Sequence, residues 1–200
     1  MQIHINDFVK TDISHLKKFV EWSDDGKLFE NNGQHYRLLA YISSILPDGS
    51  KIFEIGTRWG VSATALSNNK NVSVITCDID DCIKESPSVK DIPNVTCVIG
   101  DGFNLIDEHI DAEVIFMDVD PHDGVQETRM INKLIDCGYK GVLFLDDINL
   151  NKEMNDFWNS IQLDKIDITQ LGHYSGTGVV FFGDQEFKII QTLRSVHRDC

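Results

Sequence analysis

Short apolar runs recur along the chain, separated by segments in which apolar residues have helical spacing. Five runs are rich in β-branched and aromatic residues, have Gly or Asp at or near their ends, and cover 51–55, 72–79, 95–100, 112–119 and 141–148. Such runs are typical of buried parallel strands. Helical patterns lie over 61–68 and 123–137, with a weaker one after Asp81. The sequence therefore predicts strands that alternate with crossover helices.

The C-terminal third predicts one more helix and a hairpin. A helical stripe at i, i+3, i+4 and i+7 consists of Met154, Phe157, Trp158 and Ile161, and we expect it to cover one face of the sheet. Two further strand candidates lie at 166–171 and 178–183. Because the link between them is too short for a crossover helix, they should pair antiparallel at the sheet edge.

Two helices are predicted ahead of the first buried strand. One is indicated by the spacing of Ile13, Leu16 and Val20, and the other by that of Leu38, Ile42 and Ile45. The sum is a doubly wound, Rossmann-like α/β sheet of seven strands with an antiparallel terminal hairpin. We expect a single domain over 1–200, with an N-terminal helical cap (1–49), a ligand-binding core (50–183) and a C-terminal tail (184–200).

Composition narrows the class of function. The chain has 18 Lys and Arg against 32 Asp and Glu, a net charge of -14, which disfavours nucleic acid and anionic membranes as partners. We find no secretory leader pattern and no membrane-spanning apolar stretch, so we expect a cytoplasmic protein. The 5 cysteines have no metal-knuckle spacing and are expected to be reduced packing residues. The sequence leaves the oligomeric state open, and a homo-oligomer is one possibility.

A glycine loop follows the first buried strand. In EIGTRWGVSA, residues 54–63, Glu54, Gly56 and Gly60 form an ExGxxxG pattern at a strand-to-helix turn, where doubly wound folds bind cofactors. A dinucleotide loop would carry a third glycine, whereas bulky Arg58 and Trp59 stand in the middle here. The acidic residue and the two glycines suit a ligand that has an ammonium and a sulfonium group and no phosphate. S-adenosylmethionine is such a ligand.

Two acids follow at the ends of the next two strands. Asp78 is placed where a carboxylate can accept hydrogen bonds from both ribose hydroxyls, and Asp101 is expected within reach of an adenine edge. The glycines could instead only turn the chain while the two aspartates cap helices. The order and spacing of the loop and both acids favour cofactor binding over that alternative.

At these residues the chain resembles the class I S-adenosylmethionine-dependent methyltransferases, and among them the metal-dependent O-methyltransferases related to catechol O-methyltransferase. The resemblance covers about residues 50–183 by strand order. It implies that Glu54, Gly56, Gly60 and Ser62 surround the methionine part of the cofactor and that Asp78 holds the ribose.

Four acids follow the fourth and fifth buried strands, at one edge of the predicted sheet: Asp118, Asp120, Asp146 and Asp147. Carboxylates with room for water suit Mg²⁺, Ca²⁺ or Mn²⁺. The metal-dependent O-methyltransferases carry an Asp after the fourth strand and an Asp-Asn or Asp-Asp pair after the fifth. Asp118, Asp146 and Asp147 match that layout. The alternative is that these acids are solvated loop residues or helix caps.

The chain differs from the catechol-type enzymes at the position of the catalytic base. Those enzymes carry a lysine after the fourth-strand Asp, where this chain has Pro121 followed by His122. In this respect it is similar to metal-dependent sugar O-methyltransferases. His122 and His173 are the candidate proton acceptors, since imidazole titrates near neutral pH. His173 belongs to a glycine-rich segment, 172–178, which is equally well explained as a hairpin loop.

The cap offers further candidates for the acceptor site, although such residues on amphipathic helices usually belong to the core or the solvated face. They are Trp22, His35, Tyr36 and Arg37. The leading hypothesis is an O-methyltransferase that acts on a small-molecule hydroxyl, such as a sugar or vicinal diol, with S-adenosylmethionine and a divalent cation such as Mg²⁺. The alternatives are a nicotinamide-dependent oxidoreductase and a non-catalytic ligand-binding module.

Overall fold

The structure is a computed structural model and describes residues 1–19, 34–81, 89–184 and 188–190. Its strands are β1 (Gln2–His4), β2 (Lys51–Ile55), β3 (Ser73–Asp78), β4 (Val95–Ile99), β5 (Val114–Met117), β6 (Val142–Asp146), β7 (Lys165–Asp167), β8 (Thr177–Phe181) and β9 (Lys188–Ile190). Its α-helices are α1 (Ile5–Phe8), α2 (Gln34–Ile45), α3 (Val61–Leu66), α4 (Gly102–Leu105), α5 (Val125–Asp136) and α6 (Lys152–Ser160). Short 3₁₀ helices cover Ser14–Phe19, Val89–Asp91, Ile106–Glu108 and Thr169–Leu171.

Seven strands form the main sheet, in the order β4-β3-β2-β5-β6-β8-β7. The five strands from β2 to β6 are parallel, so their carboxyl ends lie along one edge. β8 is antiparallel to both β6 and β7. The predicted Rossmann-like sheet with an antiparallel terminal hairpin is therefore confirmed.

Alternating side chains of the sheet enter two apolar layers. Ile52 packs with the layer that contains α2 and α3, whereas Phe53 packs with the layer that contains α5 and α6. The predicted stripe on α6 is buried in the second layer through Met154, Phe157 and Trp158. Burial of each large apolar side chain contributes roughly 1.5–3 kcal/mol, so both faces of the sheet hold the helices in place.

The chain ends differ from the prediction. The segment expected to form the helical cap begins with a strand, β1, that the sequence did not predict, and β1 pairs parallel with β9 from the segment expected to be a tail. Runs of three residues are too short to show a strand period in sequence. The first predicted cap helix is a 3₁₀ helix over Ser14–Phe19, and Val20 lies outside the described residues. The second is confirmed as α2.

The strand predicted over 166–171 ends early, at Asp167. The Asp167 side chain accepts a hydrogen bond of 2.8 Å from the backbone nitrogen of Thr169. This local bond turns the chain into the 3₁₀ helix Thr169–Leu171, because aspartate offers the backbone an alternative to the sheet ladder.

Two further predictions concern the crossover after β3 and the cysteines. The weak helical pattern after Asp81 falls largely on 82–88, outside the described residues, as do Cys82 and Cys200. Cys77, Cys97 and Cys137 are free thiols, as expected. Within the described ranges, none of the helices combines the length and apolar character that crossing a bilayer requires.

Gly56 brings two strands together at the carboxyl edge. It follows β2 with a φ of +99°, and a Cβ atom there would lie 1.7 Å from the carbonyl oxygen of Asp118, directly after β5. The backbone nitrogen of Asp118 donates to the carbonyl of Ile55 over 3.0 Å. A side chain at position 56 would therefore force the two strand ends apart.

We predict that Gly56→Ala destabilises the protein by roughly 3 kcal/mol, from a left-handed residue with a Cβ plus a backbone clash. Gly138→Ala is the matched control: Gly138 has a φ of +71°, but a Cβ atom there would have no neighbour within 4 Å, so we expect a loss of only about 1 kcal/mol. Urea unfolding followed by circular dichroism measures both. Equal losses of unfolding free energy in the two variants would contradict the importance of the close approach between Gly56 and Asp118.

Candidate functional site

The glycine loop after β2 is tied to β3. The backbone nitrogen of Gly56 donates to the carbonyl of Cys77 over 2.9 Å, and that of Arg58 donates to Oδ2 of Asp78 over 2.8 Å. Gly60, with a φ of +73°, begins α3 where a Cβ atom would lie 2.2 Å from a methyl carbon of Val89. The loop conformation is thus set by its neighbours and requires glycine at both positions.

Glu54 is the buried acid of the loop. Its side chain is fully buried, and neither carboxylate oxygen has a hydrogen bond of normal geometry among the described residues. Burial raises the pKa of Glu54 to about 7, against the weaker opposing effect of the Ser62 and Thr76 hydroxyl groups. A buried carboxyl group without a firm partner is suited to receive a cationic ligand group.

The two acids that were predicted to bind cofactor have different local roles. Asp78 ends β3 and accepts hydrogen bonds from the backbone of Arg58 and, over 3.2 Å, of Asp80. Asp101 caps α4, accepting from the backbone nitrogen of Phe103 over 2.9 Å. The helix-cap alternative therefore describes the local bonding of Asp101, while Asp78 fixes the glycine loop. Their roles toward a cofactor stay predictions.

The acids after β5 and β6 lie next to the glycine loop at the same edge. Asp146 ends β6, and Asp147 follows it with a φ of +60°. His122, in the loop after β5, has a φ of +55°. Non-glycine residues in left-handed conformations store strain that is characteristic of functional sites.

His122 lies among three carboxylates. Its Nε2 atom is 3.9 Å from Oδ1 of Asp118, 3.4 Å from Oδ1 of Asp120 and 3.6 Å from Oδ2 of Asp147. The side chain of Asp120 is 91% exposed, so only Asp118 and Asp147 form the inner part of this group.

His173 reaches the same acids from the glycine-rich loop ahead of β8. Its Nδ1 atom lies 3.1 Å from Oδ1 of Asp147 and 3.3 Å from Oδ1 of Asp146. The buried hydroxyl of Ser175 bonds to His173 Nδ1 over 2.8 Å and also donates to Asp147. The loop is therefore a part of the site, and not a hairpin connection alone.

The aspartates and His173 shift one another's pKa values. Desolvation would lower the pKa of His173, but Asp146 and Asp147 outweigh it and raise the value to about 10. Desolvation and then the charges of Asp146 and Asp147 raise the pKa of Asp118 well above its usual range. At neutral pH His173 is thus protonated and supplies part of the positive charge that the acids require.

Among the described residues of the cap, His35 lies at this edge. His35, only 5% exposed, lies in the first turn of α2 with Nδ1 3.8 Å from Oδ1 of Asp146. Tyr36 belongs to the apolar core, and the Arg37 guanidinium donates to the carbonyls of Val9 and Thr11. Trp22 lies outside the described residues.

The sequence indicated His35 only as a candidate for the acceptor site and gave no role to Ser175. The helical spacing of His35 with Leu38 and Ile42 could have shown that His35 lies on the buried face of α2. No sequence pattern marks Ser175, because its contact with Asp147 joins residues that are distant in the chain.

The predicted metal ligands fall into two groups of potential ligand atoms, each spanning no more than 4.8 Å: Asp118 with His122 and Asp147, and His35 with Asp146 and His173. The three predicted acids thus share one edge but are divided between these groups. Both groups can hold a cation, and Asp118 and Asp147 offer the oxygen atoms that a hard ion prefers.

Comparison with known proteins supports the fold. No protein-family model matches the sequence, and no curated protein matches it significantly. Among solved structures, the S-adenosylhomocysteine-bound methyltransferase PaMTH1 of Podospora anserina is 14% identical with a TM-score of 0.63, over 90% of this chain and 94% of that one. A putative caffeoyl-CoA O-methyltransferase of Staphylococcus aureus is 14% identical with a TM-score of 0.62, over 90% and 97%.

A methyltransferase of Geobacter sulfurreducens is 15% identical with a TM-score of 0.61, over 89% of this chain and 94% of that one. The TM-scores and coverages show a shared fold. The strand order, the antiparallel hairpin and the matched lengths together show that this chain has the Rossmann-like fold of the class I S-adenosylmethionine-dependent methyltransferases.

Proposed function

We propose that this protein is an S-adenosylmethionine-dependent O-methyltransferase that methylates a hydroxyl group of a small molecule of the sugar or vicinal-diol class, with help from a divalent cation. One observation carries the proposal. The glycine loop with Glu54 and Asp78 lies directly beside the group of Asp118, His122 and Asp147, and the contact of Gly56 with Asp118 joins them.

The glycine-loop side suits the cofactor. The buried carboxyl of Glu54 is available to the ammonium of the methionine part, and the carboxylate of Asp78, already fixed by the loop backbone, is placed for the ribose hydroxyls. Bulky Arg58 and Trp59 remain an argument against a pyrophosphate, as does the absence of a third glycine. These features favour S-adenosylmethionine over a nicotinamide dinucleotide.

The acidic side suits a hard cation such as Mg²⁺. Asp118 and Asp147 would hold it, with Asp146 adding negative charge beside them. Desolvation and then the charges of Asp146 and Asp147 raise the pKa of Asp118, and a cation would relieve this crowding of like charges. Such an ion, when bound, supplies polarisation of an acceptor hydroxyl. A non-catalytic ligand-binding module would not require these crowded carboxylates, so their presence favours an enzyme.

His122 is the residue that we assign as the base. Its Nε2 atom faces Asp118 and Asp147, and its side chain is 18% exposed against 11% for His173, so it is the more accessible of the two rings to an acceptor hydroxyl. His173 is instead held against Asp146 and Asp147 by the Ser175 hydroxyl and is a positioning residue for these acids. The chain thus holds the acceptor, removes its proton and keeps it in line with the methyl group.

For the cofactor side, we predict micromolar-scale binding of S-adenosylhomocysteine in calorimetric titration. Asp78→Ala should weaken it by ~1.5–3 kcal/mol through lost charge-assisted hydrogen bonds. Asp80→Ala, at an exposed position two residues further along the chain, is the control and should bind like the wild type. Absence of binding together with tight binding of NAD would instead favour the oxidoreductase.

For the acidic side, we predict that exhaustive chelation abolishes methyl transfer and that Mg²⁺ restores it. Asp118→Ala should abolish turnover while its affinity for S-adenosylhomocysteine stays within about threefold of wild type, since Asp118 is assigned to the cation and not to the cofactor. Asp156→Ala, at an exposed position of α6, is the control. Full activity after chelation would remove the metal from the mechanism and leave the fold untouched.

For the base, we predict that His122→Ala slows the chemical step about a hundredfold or more in single-turnover experiments and flattens its pH profile, with cofactor affinity unchanged. His109→Ala is the control, because His109 packs on Phe53 near Lys51 at the amino edge of the sheet. If His122→Ala kept the wild-type rate and pH profile while His173→Ala had a slow rate and a flat profile, His173 would be the base.

A further inference from the structure

The second group of ligand atoms is distinct from the one assigned to the hard cation. It consists of His35 from α2, Asp146 at the end of β6 and His173 from the loop before β8. His35 and Asp146 are buried, and the His35 and His173 rings are 5.1 Å apart between centroids. Three elements that are distant in sequence thus meet at one buried point beneath the cap.

The distances resemble those between ligands of one metal ion. Nδ1 of His173 is 3.3 Å and Nδ1 of His35 is 3.8 Å from Oδ1 of Asp146. Ligand atoms that each bind tetrahedral zinc at about 2.0–2.1 Å are separated from one another by about 3.3 Å. The three ligand atoms all lie within 4.8 Å of one another, so movements of the two rings would bring them to the spacing of a tetrahedral site.

Asp146 gives an independent reason to expect an ion. Its side chain is 4% exposed, yet within the described part of the chain its Oδ1 atom accepts no hydrogen bond of normal geometry. An unsatisfied oxygen of a buried carboxylate is costly. This oxygen lies 3.3 Å from Nδ1 of His173 and 3.8 Å from Nδ1 of His35, so a cation shared with both rings would satisfy it after displacing the proton that His173 holds in the free protein.

We propose that His35, Asp146 and His173 form a second metal site, which binds a transition-metal ion such as Zn²⁺ or Co²⁺ in preference to Mg²⁺. Two imidazole nitrogens and one carboxylate suit ions of intermediate softness, whereas Mg²⁺ prefers oxygen ligands and water. The ion joins the cap helix α2 to the sheet edge. The site stands on these three residues and does not depend on methyl transfer.

The first test is a Co²⁺ titration of tag-free, metal-stripped protein, because Co²⁺ held by histidine nitrogens gives visible absorption bands. We expect saturable bands that an excess of Mg²⁺ does not remove. His35→Gln should weaken Co²⁺ binding at least about tenfold, and His109→Gln should leave it unchanged. Absence of the bands in the wild type, or unchanged binding in folded His35→Gln, would overturn the proposal.

The second test locates the ion and does not depend on a folded variant. Crystals of the wild-type protein with Co²⁺ are measured at the cobalt absorption edge for anomalous scattering. An anomalous peak among His35, Asp146 and His173 supports the site. A peak only at Asp118, His122 and Asp147, or no peak, would overturn it, and neither result depends on whether the protein transfers methyl groups.

Discussion

Mutual repulsion of carboxylates at one edge of the parallel sheet is the constraint on which the site depends. Parallel strands all end at this edge, so Asp118, Asp146 and Asp147 are brought together by the topology itself. Desolvation together with this repulsion raises the pKa of Asp118, and His173 keeps a proton that offsets part of the repulsion. The strained backbone at Asp147 shows that the surrounding fold, and not local preference, enforces this arrangement.

The same edge connects the two halves of the proposed reaction. The glycine loop is hydrogen-bonded to β3 and lies against the end of β5, so the cofactor side cannot move independently of Asp118. Methyl transfer needs oxygen, carbon and sulfur in one line, and much of its acceleration comes from such placement. A rigid backbone contact through Gly56 is a direct way for this chain to provide it.

The buried strands, the crossover helices α3 and α5 and the terminal hairpin could be predicted from sequence because each has an apolar period or a diagnostic link length. Strand β1 could not, because a three-residue strand has no measurable period and its partner lies at the other end of the chain. The site acids could be predicted from their places at strand ends. The contacts of His35 and Ser175 could not, since they arise from tertiary packing alone.

The most direct measurement is the number of protons released when S-adenosylhomocysteine binds, from calorimetry at pH 6 in buffers of different ionisation enthalpy. Glu54 has a raised pKa of about 7 in the free protein, so it is mostly protonated at that pH, and an ammonium beside it would favour its charged form. We expect release of roughly one proton, declining above pH 7 and absent in Glu54→Gln. Binding without proton release, or release unchanged in Glu54→Gln, would contradict the placement of the cofactor at this edge.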